Sequence, residues 1–301
     1  MNAEGEHGGE TGPRLRMLGC MDSPEMARSC RQALDISRES ASELGLSAVE
    51  AINRGYYVNS TGQKVDWSEA VSHARVLKQS IPPDVALQIT RPPLHLPETR
   101  VLVCNETTLQ ASFRLVQDGH RTLALNFANG VRPGGGFLSG AKAQEEVLCR
   151  SSALYCTLVD DPMYEYHERR QRPDSSDWVI YSPDVPVFRT DSGRALDEPW
   201  NLGFLTSAAP YAPVIGQPES ANLLQKRIHR ILAVASAYGY ETLVLGAWGC
   251  GAFANDPYRT ALDFRKALEG DFAGHFADVV FAITDWSPER RFLRQFAYVF
   301  S

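Results

Sequence analysis

From Arg100 onward, short apolar and β-branched runs alternate with amphipathic stretches, and nothing else in the chain restricts its fold as tightly. The runs at 101–104, 123–127, 178–181, 204–208, 242–246 and 279–283 have strand length and strand composition. Between several of them apolar residues recur at helical spacing, near 109–117, 144–154, 221–238 and 256–268. Such alternation predicts a three-layer α/β sheet with its ligand loops at the carboxyl ends of strands.

Ahead of this core the pattern differs. Residues 1–22, rich in Gly and Glu, carry too little apolar surface to offset ordering entropy and are expected to be a flexible leader. Residues 23–99 are expected to be an N-terminal helical elaboration, with 100–301 as the core. Ser23, Pro24 and Glu25 open a helix on which Met26, Cys30, Ala33, Leu34 and Ile36 recur. Ser47 with Glu50 forms a capping box for a helix that Gly55 ends. Asp66 with Glu69 forms a second box, opening a helix that carries Ala70, Val71, Ala74 and Leu77.

Composition excludes several classes of function. With 301 residues, 44% of them hydrophobic, the chain can bury a full core without disulfides or metal. A formal net charge of -6 argues against binding nucleic acid by clustered Lys and Arg, so no direct nucleic-acid partner is expected. The six cysteines form no C-x-x-C pair and have no His at ligand spacing, so no metal is expected, and the thiols read as reduced. Neither a membrane-length apolar run nor a signal-peptide core is present, which predicts an intracellular, cytoplasmic protein (nuclear if eukaryotic) with no membrane partner.

The chemistry is concentrated in two glycine-rich segments, each placed between a predicted strand and a predicted helix. The first, NFANGVRPGGGFLSGAKAQEEVLCRSS at 126–152, sets Gly134, Gly135 and Gly136 ahead of Gln144, Glu145 and Glu146. Consecutive glycines let backbone approach a ligand closely and aim several N–H groups at it. The second, GAWGCGAFANDP at 246–257, runs from a strand into a helix capped by Asp256, and its amides suit a diphosphate. Taken singly, each loop also reads as a tight connection and the Glu pair as a solvated helix face. Together they point to a phosphate-bearing ligand with one acid nearby.

These two segments also resemble a known family. Triple glycine followed by Gln-Glu-Glu is similar to the signature of poly(ADP-ribose) glycohydrolases, and GAWGCGAF is similar to their diphosphate loop. The compact arrangement resembles the bacterial-type branch, and the resemblance covers most of 25–301. It implies a macrodomain-like α/β/α fold with a mixed central sheet, no cofactor, and poly(ADP-ribose) or ADP-ribosylated proteins as substrate. It further implies a role in reversing ADP-ribosylation in the DNA damage response, for a chain acting as a monomer.

By position, the resemblance puts the catalytic acid on Glu146 and the residue holding ribose hydroxyls on Glu145, with Gln144 as a substrate-binding residue beside them. Asn129 falls where the distal ribose is contacted, and Phe253 where an aromatic packs over it. Gly249, Cys250, Gly251 and Ala252 would supply amides to the diphosphate, and Gly134, Gly135 and Gly136 would be substrate-binding as well. Glu106 is a candidate for the adenine contact, with a helix-terminal carboxylate as its plain alternative. Animal enzymes of the family carry Asp at the position of Asn126, so no role is transferred there. Their adenine-clasping tyrosine has several candidates here: Tyr155, Tyr164, Tyr166, Tyr181 and Tyr211.

Helix geometry bears on mechanism. Most glycosidases flank the scissile bond with two carboxylates about 5–9 Å apart on opposite faces of the sugar. Neighbouring residues of one helix share a backbone and point about 100° apart, so Glu145 and Glu146 cannot do this. One acid must both protonate the leaving oxygen and activate water, leaving the other to position the ribose. The expected activity is cleavage of ribose–ribose bonds with release of ADP-ribose. Removal of single ADP-ribose units from proteins, or binding without cleavage, stand as alternatives, and the retained acids favour an enzyme. Among the remaining residues, Trp248 is expected to pack under its loop, Cys250 not to be a nucleophile, and His167 and His229 to form neither triad nor metal site.

Overall fold

The computed structural model describes residues 12–87 and 93–301. Its strands in chain order are β1 (Arg14–Met21), β2 (Tyr56–Val58), β3 (Lys64–Asp66), β4 (Gln79–Ile81), β5 (Glu98–Cys104), β6 (Thr122–Ala128), β7 (Val179–Arg189), β8 (Ala195–Ala208), β9 (Thr242–Leu245) and β10 (Asp278–Ala282). Eight of these form one mixed sheet in the order β1-β5-β10-β9-β6-β8-β7-β4, while β2 and β3 pair separately. Pairing is parallel from β1 through β8 and antiparallel for β8–β7 and β7–β4.

Strand periodicity builds the two faces. Because successive side chains of a strand point to opposite faces, Leu102 and Cys104 of β5 enter one core and Val101 and Val103 the other. The same split separates Ala124 from Leu123 and Leu125, and Val244 from Leu243 and Leu245. Helices Glu219–Ala237, Pro257–Glu269 and Leu293–Val299 cover one face. The N-terminal helices, Thr108–Gln117 and Gln144–Ser151 cover the other, giving three layers.

Helix starts follow capping chemistry. Ser23 accepts from the Met26 amide at the head of Pro24–Leu34, with Pro24 in the first turn. Such a cap contributes about 1 kcal/mol. The helix that precedes Gly55 runs unbroken over Arg38–Arg54 from an N-cap at Ser37, so the expected Ser47–Glu50 box is not a helix start. Ser47 instead donates to the Leu44 carbonyl and accepts from Arg189. The expected Asp66–Glu69 box is also absent. Asp66 holds Ser68, the first residue of Ser68–Leu77, and the N-cap position belongs to buried Trp67.

Two further expectations are corrected. Of the expected leader 1–22, residues 1–11 lie outside the described residues, and Arg14–Met21 is a strand rather than flexible chain. It pairs in parallel with β5, Met17 opposite Val101. An edge strand needs only one partly buried face, which Leu15 and Met17 supply, while Arg14 and Arg16 pair with Glu98. The segment 23–99, expected to be helical, also contributes β4 to the opposite sheet edge. It is fastened to the sheet by aromatic rings: Trp67 lies 5.5 Å from Tyr57 and 4.6 Å from Phe188 of β7, centroid to centroid.

Candidate active site

Strand order brings the two glycine loops together. β6 and β9 are parallel neighbours, with Leu123 opposite Leu243, so the loops leaving their carboxyl ends emerge side by side. The β6 loop leads into Gln144–Ser151 and the β9 loop into Pro257–Glu269, whose N-cap Asp256 accepts from the Arg259 amide. This is the crevice at which open α/β sheets bind ligands.

Glu145 and Glu146 both lie in the first turn of Gln144–Ser151, 3% and 8% exposed, although a glutamate pair at a helix start is ordinarily solvated. Glu145 is held at both oxygens. Its Oε2 accepts from the Asn129 amide at 2.7 Å, and its Oε1 from Asn126 Nδ2 at 3.3 Å. Burial pushes its carboxyl up to about 8, against the downward pull of the Asn129 amide and with a further rise from the charge of Glu146. Glu146 is held differently: Oε1 accepts from the Gly136 amide at 3.0 Å, while Oε2 is buried without a hydrogen-bond partner among the described residues. The two acids of the motif are therefore one fixed and one half-free.

Asn126, whose role was left open, donates to both Glu145 and Thr206 Oγ1, at 3.3 and 3.2 Å. An amide at this position presents a donor to the buried carboxyl where an aspartate would present a second acid. Gln144, which borders the cleft, is also a fastener. Its Oε1 accepts from the Phe127 amide, and its Nε2 donates to the Leu125 carbonyl and Thr108 Oγ1, which ties the helix Gln144–Ser151 to β6. The triple glycine is likewise turned inward: the Gly135 amide donates to the Arg132 carbonyl and that of Gly136 to Glu146. These glycines shape the acid rather than offer free amides to substrate. Asn129 serves the turn as well, its Oδ1 accepting from the amides of Val131 and Arg132.

In the β9 loop the amides of Gly249, Gly251 and Ala252 donate to no group among the described residues. Free amides aimed out of a turn are what an anionic diphosphate requires. Cys250 is corrected: its amide donates to the Ala247 carbonyl, and its thiol, pushed up to about 12 by burial, is no nucleophile. Trp248 is fully buried beneath the loop. Gly249 has φ of 75°, and a Cβ there would stand 2.8 Å from both Ala209 Cβ and Asn255 Nδ2. Asn255 escaped the sequence reading, yet it anchors the loop by donating to the carbonyls of Pro210 and Gly249 and accepting from Ser220. Its only sequence signal is its place just before the Asp256 cap.

The loops enclose a cavity of about 250 Å³ lined by Glu145, Glu146, Asn129, Gly249, Ala252 and Phe253. Phe253 is partly buried, and its ring meets that of Tyr211 edge-on at 5.8 Å. Phe127, Ala143, Gln144, Ala247 and Gly251 are shared with a second cavity of about 230 Å³ on the other side of the loop. That neighbour is mostly apolar, with Trp286 and Phe292 in its lining, and its polar members include Lys142, Asp191, Thr107 and Thr284. Glu106 lines neither cavity. Its carboxylate pairs with Arg114 at 2.7 Å, just before the Thr107 cap of Thr108–Gln117, as the helix-terminal alternative requires.

Of the candidate tyrosines, Tyr211 reaches Phe253, Tyr164 is buried near Glu145, and Tyr181 stacks on Tyr238 far from the acids in the fold's other core. His167 is buried, with Nδ1 on the Gly130 carbonyl and Nε2 on Ser176, and burial pulls it down to about 4. His229 faces Asp271 at the surface. Among the described residues no group of three or more His, Cys, Asp and Glu side chains could hold a metal ion, and no helix is long and apolar enough to cross a membrane.

Known proteins resemble this chain in sequence and fold. The sequence model of the microbial-type PARG catalytic domain matches residues 46–190. Poly(ADP-ribose) glycohydrolase from Thermomonospora curvata is 41% identical over 87% of this chain and 99% of its own, with a TM-score of 0.80. The same enzyme bound to the inhibitor ADP-HPD superposes with a TM-score of 0.81 at 42% identity, covering 86% of this chain and 99% of the other. The enzyme from Deinococcus radiodurans in complex with ADP-ribose is 37% identical, covering 76% of this chain and 96% of its own, with a TM-score of 0.71. No curated protein matches the chain.

Proposed function

Given that the chain belongs to the microbial-type poly(ADP-ribose) glycohydrolases, we propose that it releases ADP-ribose from the polymer with Glu146 as the only proton-transferring residue. The activity is that of a glycosidase acting on poly(ADP-ribose). The supporting observation is the asymmetry of the acid pair. Glu145 has both oxygens committed to Asn129 and Asn126, whereas Glu146 keeps one oxygen unpartnered in the cavity wall.

The chemistry follows from that asymmetry. An alkoxide leaves ribose poorly at neutral pH, so a proton has to arrive as the C–O bond breaks. Burial pushes the neighbouring Glu145 carboxyl up to about 8, and the charge of Glu146 adds to that rise. Glu146, fixed through Oε1 by Gly136, presents Oε2 to the departing oxygen and gives up the proton. As carboxylate it then takes a proton from the water that captures the oxocarbenium-like ribose. Glu145 orients the ribose, and the free amides of Gly249, Gly251 and Ala252 hold the diphosphate.

The test is Glu146→Gln, which keeps shape and hydrogen bonding but cannot exchange the proton. Such groups supply about 100- to 10,000-fold in rate. Polymer cleavage is expected to fall by at least that range while ADP-ribose binding, measured by calorimetry, persists. Near wild-type turnover in a preparation free of other hydrolases overturns the assignment.

A further inference from the structure

The reaction just described makes no use of His167, yet this residue is buried at 5% exposure and bonded at both ring nitrogens. It lies in the last turn of the helix Pro162–Glu168. Its Nδ1 stands 3.0 Å from the Gly130 carbonyl, and a carbonyl only accepts, so this nitrogen carries a proton. Its Nε2 stands 2.7 Å from Ser176 Oγ. Burial pulls the ring down to about 4, so at neutral pH the second nitrogen is bare and accepts from the hydroxyl. Ser176 Oγ in turn accepts from the Trp178 amide at 3.3 Å.

The far end of this chain of bonds is β4. Trp178 Nε1 donates to Ser80 Oγ at 2.8 Å, and Ser80 Oγ donates to Asp161 Oδ1 at 2.9 Å. Asp161 caps the helix of His167 by accepting from the Met163 amide, and its Oδ2 pairs with Lys78 at 2.7 Å. The short helix is thus tied to β4 twice, at its start through Asp161 and at its last turn through Ser176 and Trp178. Buried polar groups that satisfy one another in this way hold a single arrangement. The near end is the turn that follows β6. There the peptide unit between Gly130 and Val131 is gripped on both sides, its carbonyl by His167 and its N–H by Asn129 Oδ1 at 2.9 Å. The approach is close: a Cβ on Gly130 would stand 2.7 Å from Ser175 Oγ and 3.2 Å from His167 Nδ1. Asn129 is thereby fixed, and its amide is the donor to Glu145 Oε2 at 2.7 Å.

We propose that His167 is a positioning residue for Glu145: its bond to the Gly130 carbonyl fixes the Asn129 turn, and the amide of that turn sets the carboxyl that orients the ribose. The inference rests on reading Glu145 as the orienting acid. His167 touches neither the substrate nor the reacting atoms and acts through Gly130 and Asn129. Without the Asn129 amide in place, Glu145 loses the shorter of its bonds to Asn129 and Asn126, at 2.7 and 3.3 Å. A ribose resting on that carboxyl then loses its angle to Glu146.

The experiment compares two amide variants of the full chain. His167→Asn keeps a donor on the γ carbon, where the ring carries Nδ1, whereas His167→Gln sets its amide at the distance of Nε2 and leaves the carbonyl without a donor. His167→Gln is expected to lower kcat on polymer about 10- to 100-fold while ADP-ribose affinity, by calorimetry, stays within about threefold, and His167→Asn to restore kcat to within about threefold of wild type. Equal losses of kcat in the two folded variants, or no loss in His167→Gln, overturn the proposal. The wild type supplies a second readout that needs no variant: the imidazole nitrogen resonances of His167, by isotope-labelled NMR, are expected to report the neutral ring protonated at Nδ1. A proton on Nε2 instead leaves the carbonyl without its donor and overturns the proposal whether or not the variants fold. Wild-type turnover in Glu145→Ala defeats the reading of Glu145 as the orienting acid and takes this inference with it, a result distinct from equal losses at His167.

Discussion

Gly135 lies directly beneath the acid pair: a Cβ built on it would collide with Glu146 Oε1 and stand 3.0 Å from Glu145 Oε2. Its φ of 60° also belongs to the left-handed region, where side chains are strained by roughly 1–2 kcal/mol. Gly135→Ala is therefore expected to displace both carboxyls. Misplacement by about 1 Å can cost on the order of 100-fold in rate. Turnover of polymer should fall by about that factor with a modest drop in melting temperature. Turnover within threefold of wild type would show that the acids do not need this approach.

The Glu145 carboxyl makes stability depend on pH with a definite sign. Its folded value of about 8 exceeds the ordinary 4.5, so the folded state holds the proton more tightly than the unfolded chain. The stabilisation is fully present below 4.5 and is lost as pH rises through about 8. Melting temperatures across that interval should decline in the wild type and flatten in Glu145→Gln.

Phe253 lines the same cavity as the two carboxyls, its ring set against Tyr211. Removing the ring leaves the diphosphate amides untouched, since they are backbone. Phe253→Ala is expected to lower kcat by about 100-fold through misalignment of the ribose while ADP-ribose affinity changes only a few-fold. Equal losses in kcat and affinity would make the ring a binding element instead.

No step of the proposed chemistry is routed through an ion, and the acid pair is fixed by amide donors. Turnover should accordingly survive exhaustive chelation. Loss of activity in chelator followed by recovery with magnesium would contradict the proton-transfer mechanism.

How far the sequence carried depends on where each signal resides. The buried strands β5, β6, β9 and β10 were legible because each carries its own apolar run, and both glycine loops because strand, loop and helix are contiguous. β1 was illegible because an edge strand buries one face only, and in Arg14–Met21 arginines occupy part of the other. β7 and β8 run longer than 178–181 and 204–208. Their register shifts between Ser182 and Val185, where Asp184 takes a positive φ, and the break hides the alternation. Within the site, the resemblance singled out Glu145 and Glu146, but no sequence signal says which oxygen of which acid is free. That depends on Gly136, Asn126 and Asn129, whose partnerships form only when the loop folds back on the helix. Asp191 meets Thr107 across 84 residues, a separation at which local pattern is silent.

The seating of β1 against β5 bears on how this chain can be shortened for experiment. A fragment begun at Ser23, the helix cap that local pattern recommends, would strip the neighbour from Glu98–Cys104 and leave a row of unanswered N–H and C=O groups along an apolar strand. Another chain can supply the missing neighbour, so such a fragment is destined for self-association rather than for a smaller enzyme.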